Sequence, residues 1–348
     1  MKKFLPFAIA FALCGFLLMG CSSSNLPLAT PSPAVTGTPT GPVETVPPAP
    51  TQTPQATKVI LVAPASAEGQ AIQAKLADLS SQAGLTLETR DALQKTDLTP
   101  EMKVVVFPSA PADLADLLSA APQTQFIVVS GSDLTAADNL TVLRERPENQ
   151  AFLAGFISVL LSTDYRAGGL LPTDGPLGAS LKEAFVNGGR FFCGMCAPGW
   201  PLQVYYPVIG ELPAASDGAA WQTAAAGLYD DQKVEVYFLS SDSIRPEVIS
   251  YLQGKTQNGV NVAVVGTQAP PDELSGQWAA SVRFDLAAAV EQVWPDVSAG
   301  KGGAAIDLPL LVDHVNNAEL SEGRLRLVKD LIDELKTGTV SPMSVPAQ

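Results

Sequence analysis

From residue 58 onward, short apolar runs alternate with longer segments whose apolar positions recur at helical spacing. The run 58–63, Lys-Val-Ile-Leu-Val-Ala, is apolar at consecutive positions, as in a strand covered on both faces. In the next block Ile72, Leu76, Leu79 and Ala83 fall at i, i+4, i+7 and i+11, a stripe along a helix that Gly84 closes. Further strands are predicted over 85–90, 104–107, 126–129, 168–171, 204–209, 234–239, 260–265, 279–284 and 306–312. Helices are predicted around Leu114 and Leu118, over 152–161, over 181–186 with an end at Gly188 and Gly189, around 221–228 and 248–252, and over 286–297. Leu325, Val328, Leu331, Ile332 and Leu335 stripe a last helix, ended by Gly338. Strands alternating with helices of about 10 to 15 residues build βαβ units with parallel sheets and right-handed crossovers. Ten predicted strands over residues 58–348 suit two such sheets better than one. The predicted fold is therefore α/β, two doubly wound parallel-sheet lobes, and a chain that crosses between them more than once forms a hinge.

The first 57 residues follow neither pattern. Lys2 and Lys3 precede an apolar run of 17 residues, 4–20. That run is shorter than the roughly 20 residues a spanning helix needs and has the form of a secretory signal. Its end, Leu18-Met19-Gly20-Cys21, resembles the lipobox of bacterial lipoproteins. The resemblance implies that residues 1–20 are removed and that Cys21 is diacylated, anchoring the chain in the lipid bilayer. Residues 22–57 hold nine prolines, eight threonines and the single charge Glu44. Such a segment buries too little apolar surface to offset its ordering entropy and reads as a tether. In polyproline II geometry it reaches at most about 110 Å.

Composition narrows the chemistry. Lys and Arg number 21 against 35 Asp and Glu, a net charge of −14. Loss of Lys2 and Lys3 with the signal removes two positive charges and takes it to −16. Nucleic acid is excluded as a partner, because phosphate binding rests on clustered Lys and Arg. The single histidine, His314, and four cysteines, two of them in the leader, leave no material for a His-rich zinc site or a His-centred triad away from His314. Gly300-Lys-Gly-Gly303 lacks the spacing of a phosphate loop, and Ser66 stands in no nucleophile elbow. No enzyme activity, cofactor or metal is expected. Cys193-Gly-Met-Cys196 reads as a small disulfide clipping a loop, with thiol–disulfide chemistry as the alternative; the following Ala197-Pro-Gly-Trp-Pro201 opposes the helix that a reactive pair opens. The aromatic residues around it, Phe191, Phe192, Trp200, Tyr205 and Tyr206, are expected to pack beneath that loop.

Residues 148–156, Glu-Asn-Gln-Ala-Phe-Leu-Ala-Gly-Phe, resemble the E-x-x-A-x-L-A-G-x helix of the basic membrane lipoprotein family, substrate-binding lipoproteins of ABC transporters with the type I periplasmic-binding-protein fold. The order of the segments around Gly168–Leu171, 172–189, Val264-Val-Gly266, 280–285 and 331–338 is similar as well. The resemblance implies one lobe of 58–146 plus 285–303 and another of 147–284 plus 304–340, with a small polar solute between them and an ABC permease as the partner. It places the chain on the extracytoplasmic face of a bacterial cell membrane. The family's well-known members bind purine nucleosides.

Here the polar residues depart from the family's pattern. The loop after the first strand reads Pro64-Ala-Ser-Ala-Glu-Gly-Gln70, without the family's Asp and Asn, and Ser130 stands where the family carries an Asp. The later acidic motif is matched by Gly266-Thr-Gln-Ala-Pro270. A site built to bond ribose hydroxyls loses much of its affinity when those acceptors go. Nucleoside specificity is not carried over. The candidate ligand-binding residues are Ser66, Glu68, Ser130, Asp133, Thr173, Asp174, Ser240, Asp242, Gln268 and Arg283. The alternative to transport is a surface protein that keeps the binding fold and acts as a sensor input or interaction scaffold.

Overall fold

The computed structural model describes residues 57–63, 67–131, 133–175, 179–197 and 204–343, with the backbone alone for residues 67, 68, 71 and 179. The signal segment, Cys21, the tether up to residue 56, Ser66, Trp200 and the side chain of Glu68 lie outside the described residues.

In chain order the elements are β1 (Lys58–Val62), α1 (Ala67–Gln82), β2 (Thr86–Arg90), β3 (Met102–Phe107), α2 (Leu114–Ala120), β4 (Gln125–Ser130) and β5 (Leu140–Arg144). Then come α3 (Pro147–Leu161), β6 (Ala167–Pro172), α4 (Ala179–Cys193), β7 (Val208–Leu212), α5 (Gly218–Asp230), β8 (Val236–Leu239), α6 (Pro246–Gln257), β9 (Ala263–Gly266) and β10 (Trp278–Phe284). The last are α7 (Leu286–Ser298), β11 (Ala305–Asp307), β12 (Leu310–Asp313) and α8 (Glu322–Thr337). Two six-stranded sheets result, ordered β11-β5-β4-β3-β1-β2 and β12-β10-β9-β8-β6-β7. Every pairing is parallel except that of β12 with β10. In both sheets the strand order reverses direction after the first strand, which opens a crevice at the carboxyl ends of the strands.

The first sheet shows why continuous apolar runs fold this way. Val59 and Leu61 of β1 face α1 and α7, packing with Ile72, Leu76, Val290 and Trp294. Ile60 points to the opposite face, toward Leu114 and Leu117 of α2. Side chains alternate across a strand, so a sheet covered on both faces needs apolar residues at every position.

In the second sheet α3 departs from the expected one-faced stripe: residues 151–161 are buried all round. Helix α4 does not end at Gly188 and Gly189 but runs on to Cys193. These glycines mark close approach instead. A Cβ at Gly155 would fall onto the carbonyl oxygen of Phe185, and one at Gly188 onto that of Phe152. The absence of side chains lets the backbones of α3 and α4 come together.

Three strand boundaries differ from the sequence expectation. The run 204–209 becomes strand only from Val208, because Pro207 has no N–H for the ladder. The run 306–312 splits at Pro309 into β11, which pairs with β5 in the first sheet, and β12, which pairs with β10 in the second. Residues 305–307 thus add to the first sheet, although the expected division gave 304 onward to the second lobe. Strand β5 carries no prediction above; Leu-Thr-Val-Leu-Arg is short and half-polar in appearance, yet its first four residues are buried between β4 and β11.

The sulfurs of Cys193 and Cys196 stand at disulfide distance, with Cα atoms 5.1 Å apart, at the end of α4. Tyr206 is buried and donates its backbone N–H to the Cys196 carbonyl (3.1 Å). Phe191, Phe192 and Tyr205 are not packed away as expected: they are 52%, 41% and 52% exposed. The inner faces of this helix end are already filled by Phe152 and Phe156, whose ring centroids lie 5.7 and 5.5 Å from those of Phe191 and Phe192 respectively.

Candidate functional site: a cleft at the carboxyl ends of both sheets

A cleft of about 980 Å³ opens where the carboxyl ends of the two sheets' strands meet. The first sheet contributes Val62 and Ala63 after β1, Asp91 and Gln94 after β2, Phe107 and Ser109 at the end of β3, Val129 on β4 and Glu145 after β5. The second contributes Ser241 after β8, Thr267 and Gln268 after β9, and Arg283 and Phe284 on β10. Gly69 and Ile72 of α1, Gln150 of α3, and Leu286 and Ala287 of α7 complete the walls. A concave, largely apolar site with a few convergent polar groups is the usual form of a small-molecule pocket.

The chain passes between the sheets three times, at β5 to α3, β10 to α7 and β11 to β12. These passages are tied to each other. Leu308 donates its N–H to the Arg144 carbonyl, and Asp285 its N–H to that of Pro309, both at 2.8 Å. Arg146 reaches Asp307 with an Nε to Oδ1 distance of 3.0 Å. That hydrogen bond, with the nearby charges of Asp307 and Glu148, outweighs partial burial and raises the guanidinium above its ordinary value. The side chain of Asp285 caps α7, its Oδ1 accepting the Ala288 N–H at 2.9 Å.

On the second sheet, Arg283 pairs through Nη2 with Asp313 Oδ2 at 2.8 Å, across the antiparallel β10–β12 ladder. Its Nε is buried without a hydrogen-bond partner, as is Oγ1 of Thr267. Gln150 Nε2 donates to the Val282 carbonyl (2.7 Å), fixing the amide where α3 meets β10.

Of the residues selected from sequence, Gln268 and Arg283 line the cleft. Ser130 is buried at the end of β4, where its carbonyl accepts the Glu145 N–H at 3.1 Å, so it supports the rim rather than forming it. Asp133 is exposed and off the lining, adding its charge to the surroundings of Arg146. Thr173 and Asp174 are exposed and hold the loop after β6: Thr173 N–H meets the Leu212 carbonyl at 2.9 Å, and Asp174 Oδ1 accepts from Ala214 N–H at 2.6 Å. Ser240 is buried, its Oγ lying 3.4 Å from Ser243 Oγ, and half-buried Asp242 lies off the lining; their neighbour Ser241 is the one that reaches it. Asp91, Asp113, Glu145, Gln150 and Thr267 line the cleft without having been selected. The signal that could have found most of them is position: Asp91, Glu145 and Thr267 each come directly after a parallel strand.

No protein-family model matches the chain, and no curated protein matches it. Among solved structures it is similar to an ABC transporter solute-binding protein from Conexibacter woesei, with a TM-score of 0.60 and 17% identity over 82% of this chain and 98% of that one. It is also similar to an ABC transporter solute-binding protein from Aeropyrum pernix, with a TM-score of 0.56 and 14% identity over 85% of this chain and 94% of that one. A transcriptional activator of the comK gene from Bacillus halodurans matches with a TM-score of 0.56 and 13% identity, over 82% of this chain and 99% of that one. The chain therefore has the two-lobed α/β fold of the periplasmic-binding-protein type, with its cleft at the carboxyl ends of both sheets.

Proposed function

We propose that the chain is a solute-binding lipoprotein of an ABC transporter, related to the basic membrane lipoprotein family. In this reading diacylated Cys21 anchors it on the extracytoplasmic face of a bacterial cell membrane, and the tether of residues 22–57 carries the folded body toward its permease. A small polar solute binds between the lobes, and their closure about the passages turns binding into a docking signal. The observation that carries the reading is the cleft itself: one cavity of solute size, lined from both sheets and bordered by tied crossovers. The fold shared with solute-binding proteins supports it, as do the lipobox-like end of the leader and the tether. The protein acts by binding and not by catalysis. Nucleosides are one class to test, not the assigned solute.

The test is thermal unfolding of the mature chain from Cys21, in detergent, against nucleosides, bases, sugars and amino acids. A solute present at about 100 times its Kd adds about 2.7 kcal/mol and raises the midpoint by several degrees. A shift confined to one chemical class is the expected result. Absence of any shift, in folded protein free of copurified solute, would replace this reading with a sensor or scaffold role; one structurally similar protein is described as a transcriptional activator of the comK gene.

A further inference from the structure

The polar lining of the cleft is divided by charge. Asp91 and Asp113, from the first lobe, line it, are exposed, and form no ion pair among the described residues. Glu145 stands at the same rim, Asp285 lines the cleft at the crossing into α7 with its Oδ1 capping that helix, and among the described residues no Lys or Arg of that lobe lines the cleft. The facing wall carries the opposite equipment. Its charged lining residue is Arg283, 17% exposed, whose Nη2 is held by Asp313 while Nε is buried with no acceptor. Beside it, at the end of the neighbouring strand, the buried Thr267 hydroxyl also lacks a partner. The geometry there is held in place: the Ser281 hydroxyl accepts from the Trp278 indole at 2.9 Å and donates to the Gln268 carbonyl at 2.7 Å. Two buried donors left unmade in an otherwise braced wall are a cost that an incoming oxygen acceptor removes. The exposed carboxylates of Asp91 and Asp113 on one side of a solute-sized cavity concentrate positive charge there.

Building on the solute-binding reading, we propose that the cleft takes a two-ended solute, an amino-carboxylate with its charges at opposite ends. Its carboxylate accepts hydrogen bonds from Arg283 Nε and the Thr267 hydroxyl, and its ammonium lies toward Asp91 and Asp113. An uncharged sugar or nucleoside can donate hydroxyl hydrogen bonds to the acidic rim but brings no charge to match either wall. A plain carboxylate is repelled by it, and a plain diamine leaves the two donors unmade.

The experiment is titration calorimetry on the mature chain in detergent with γ-aminobutyrate, δ-aminovalerate and ε-aminocaproate, using butyrate and putrescine as single-ended controls. At least one of the three is expected to bind about ten-fold or more tighter than either control, the length of the best identifying the span between the two ends. Thr267→Val, which keeps the shape and removes the hydroxyl, is expected to weaken that solute about ten-fold. Asp91→Asn combined with Asp113→Asn is expected to weaken it and to flatten the loss of affinity at raised salt. Asp91 and Asp113 are exposed and Thr267→Val preserves the side chain's shape, and the unfolding midpoint of each variant verifies that it is folded. Binding no tighter than that of the controls, or unaffected by either variant, overturns the inference. If another class in the wider panel shifts the midpoint while these three do not, the solute-binding reading stands without it. If nothing binds, both fall.

Discussion

At the scale of single residues, two glycines in similar helical settings have opposite consequences. Gly188 lies where α4 meets the backbone of α3, and a side chain there lands on the Phe152 carbonyl. Gly254, within α6, has nothing within 4 Å of the place a Cβ would occupy. Overpacking a braced contact costs about 1–3 kcal/mol or more, whereas alanine in an open helix gains about 0.5–1 kcal/mol over glycine. Gly188→Ala is therefore expected to lower the calorimetric unfolding midpoint by several degrees, and Gly254→Ala to leave it unchanged or raise it slightly. Equal effects of the two would contradict the close-packed α3–α4 contact. Nothing local in the sequence separates these glycines: both interrupt helical patterns, and only the partner helix distinguishes them.

At the scale of elements, chain-breaking residues decide where the sheets begin. Pro207 delays β7 to Val208, and Pro309 divides what reads as one apolar strand between two sheets. The pair Cys193 and Cys196 sets the turn that carries the chain from α4 toward Tyr206. The loop it closes is short, so a bond there removes little unfolded-state freedom, at most about 2 kcal/mol. Reduction is expected to lower the midpoint by a few degrees while leaving solute affinity unchanged, since neither cysteine lines the cleft. Alkylation before and after reduction, read by mass, gives the state of the pair. A loss of solute binding on reduction would instead favour a redox role.

At the scale of the whole molecule, the cleft is made by topology. Both sheets present their strand carboxyl ends to it, and the three passages between them are bound together at Arg144, Asp285 and Arg146 through Leu308, Pro309 and Asp307. In the solute-binding reading the tied passages act as one hinge about which the walls close. Solution scattering is expected to show a smaller radius of gyration when the preferred solute is added, and no change with solutes that leave the unfolding midpoint where it was. A midpoint shift without compaction would mean binding to a cleft that does not close.

The alternation of apolar runs and helical stripes determined by itself that the body is α/β with two mostly parallel sheets, because burial on both faces of a strand has to be written at every position of that strand. Arg283 and Gln268, selected by comparison with the family's pattern, do line the cleft, each lying at or just past the end of a recognisable strand. Strand β5 was not: its threonine and arginine hide a burial that only the neighbours β4 and β11 provide, and Glu145 at its end went unseen with it. The tertiary structure also decided that Thr173 and Asp174, after β6, hold a loop while Asp91, after β2, faces the cleft. Hydrophobic periodicity reports which residues are covered by their own sheet and helices. The polar residues of a cleft come from separated strand ends, so their meeting is determined by strand order and by the crossings between lobes, which no local pattern contains.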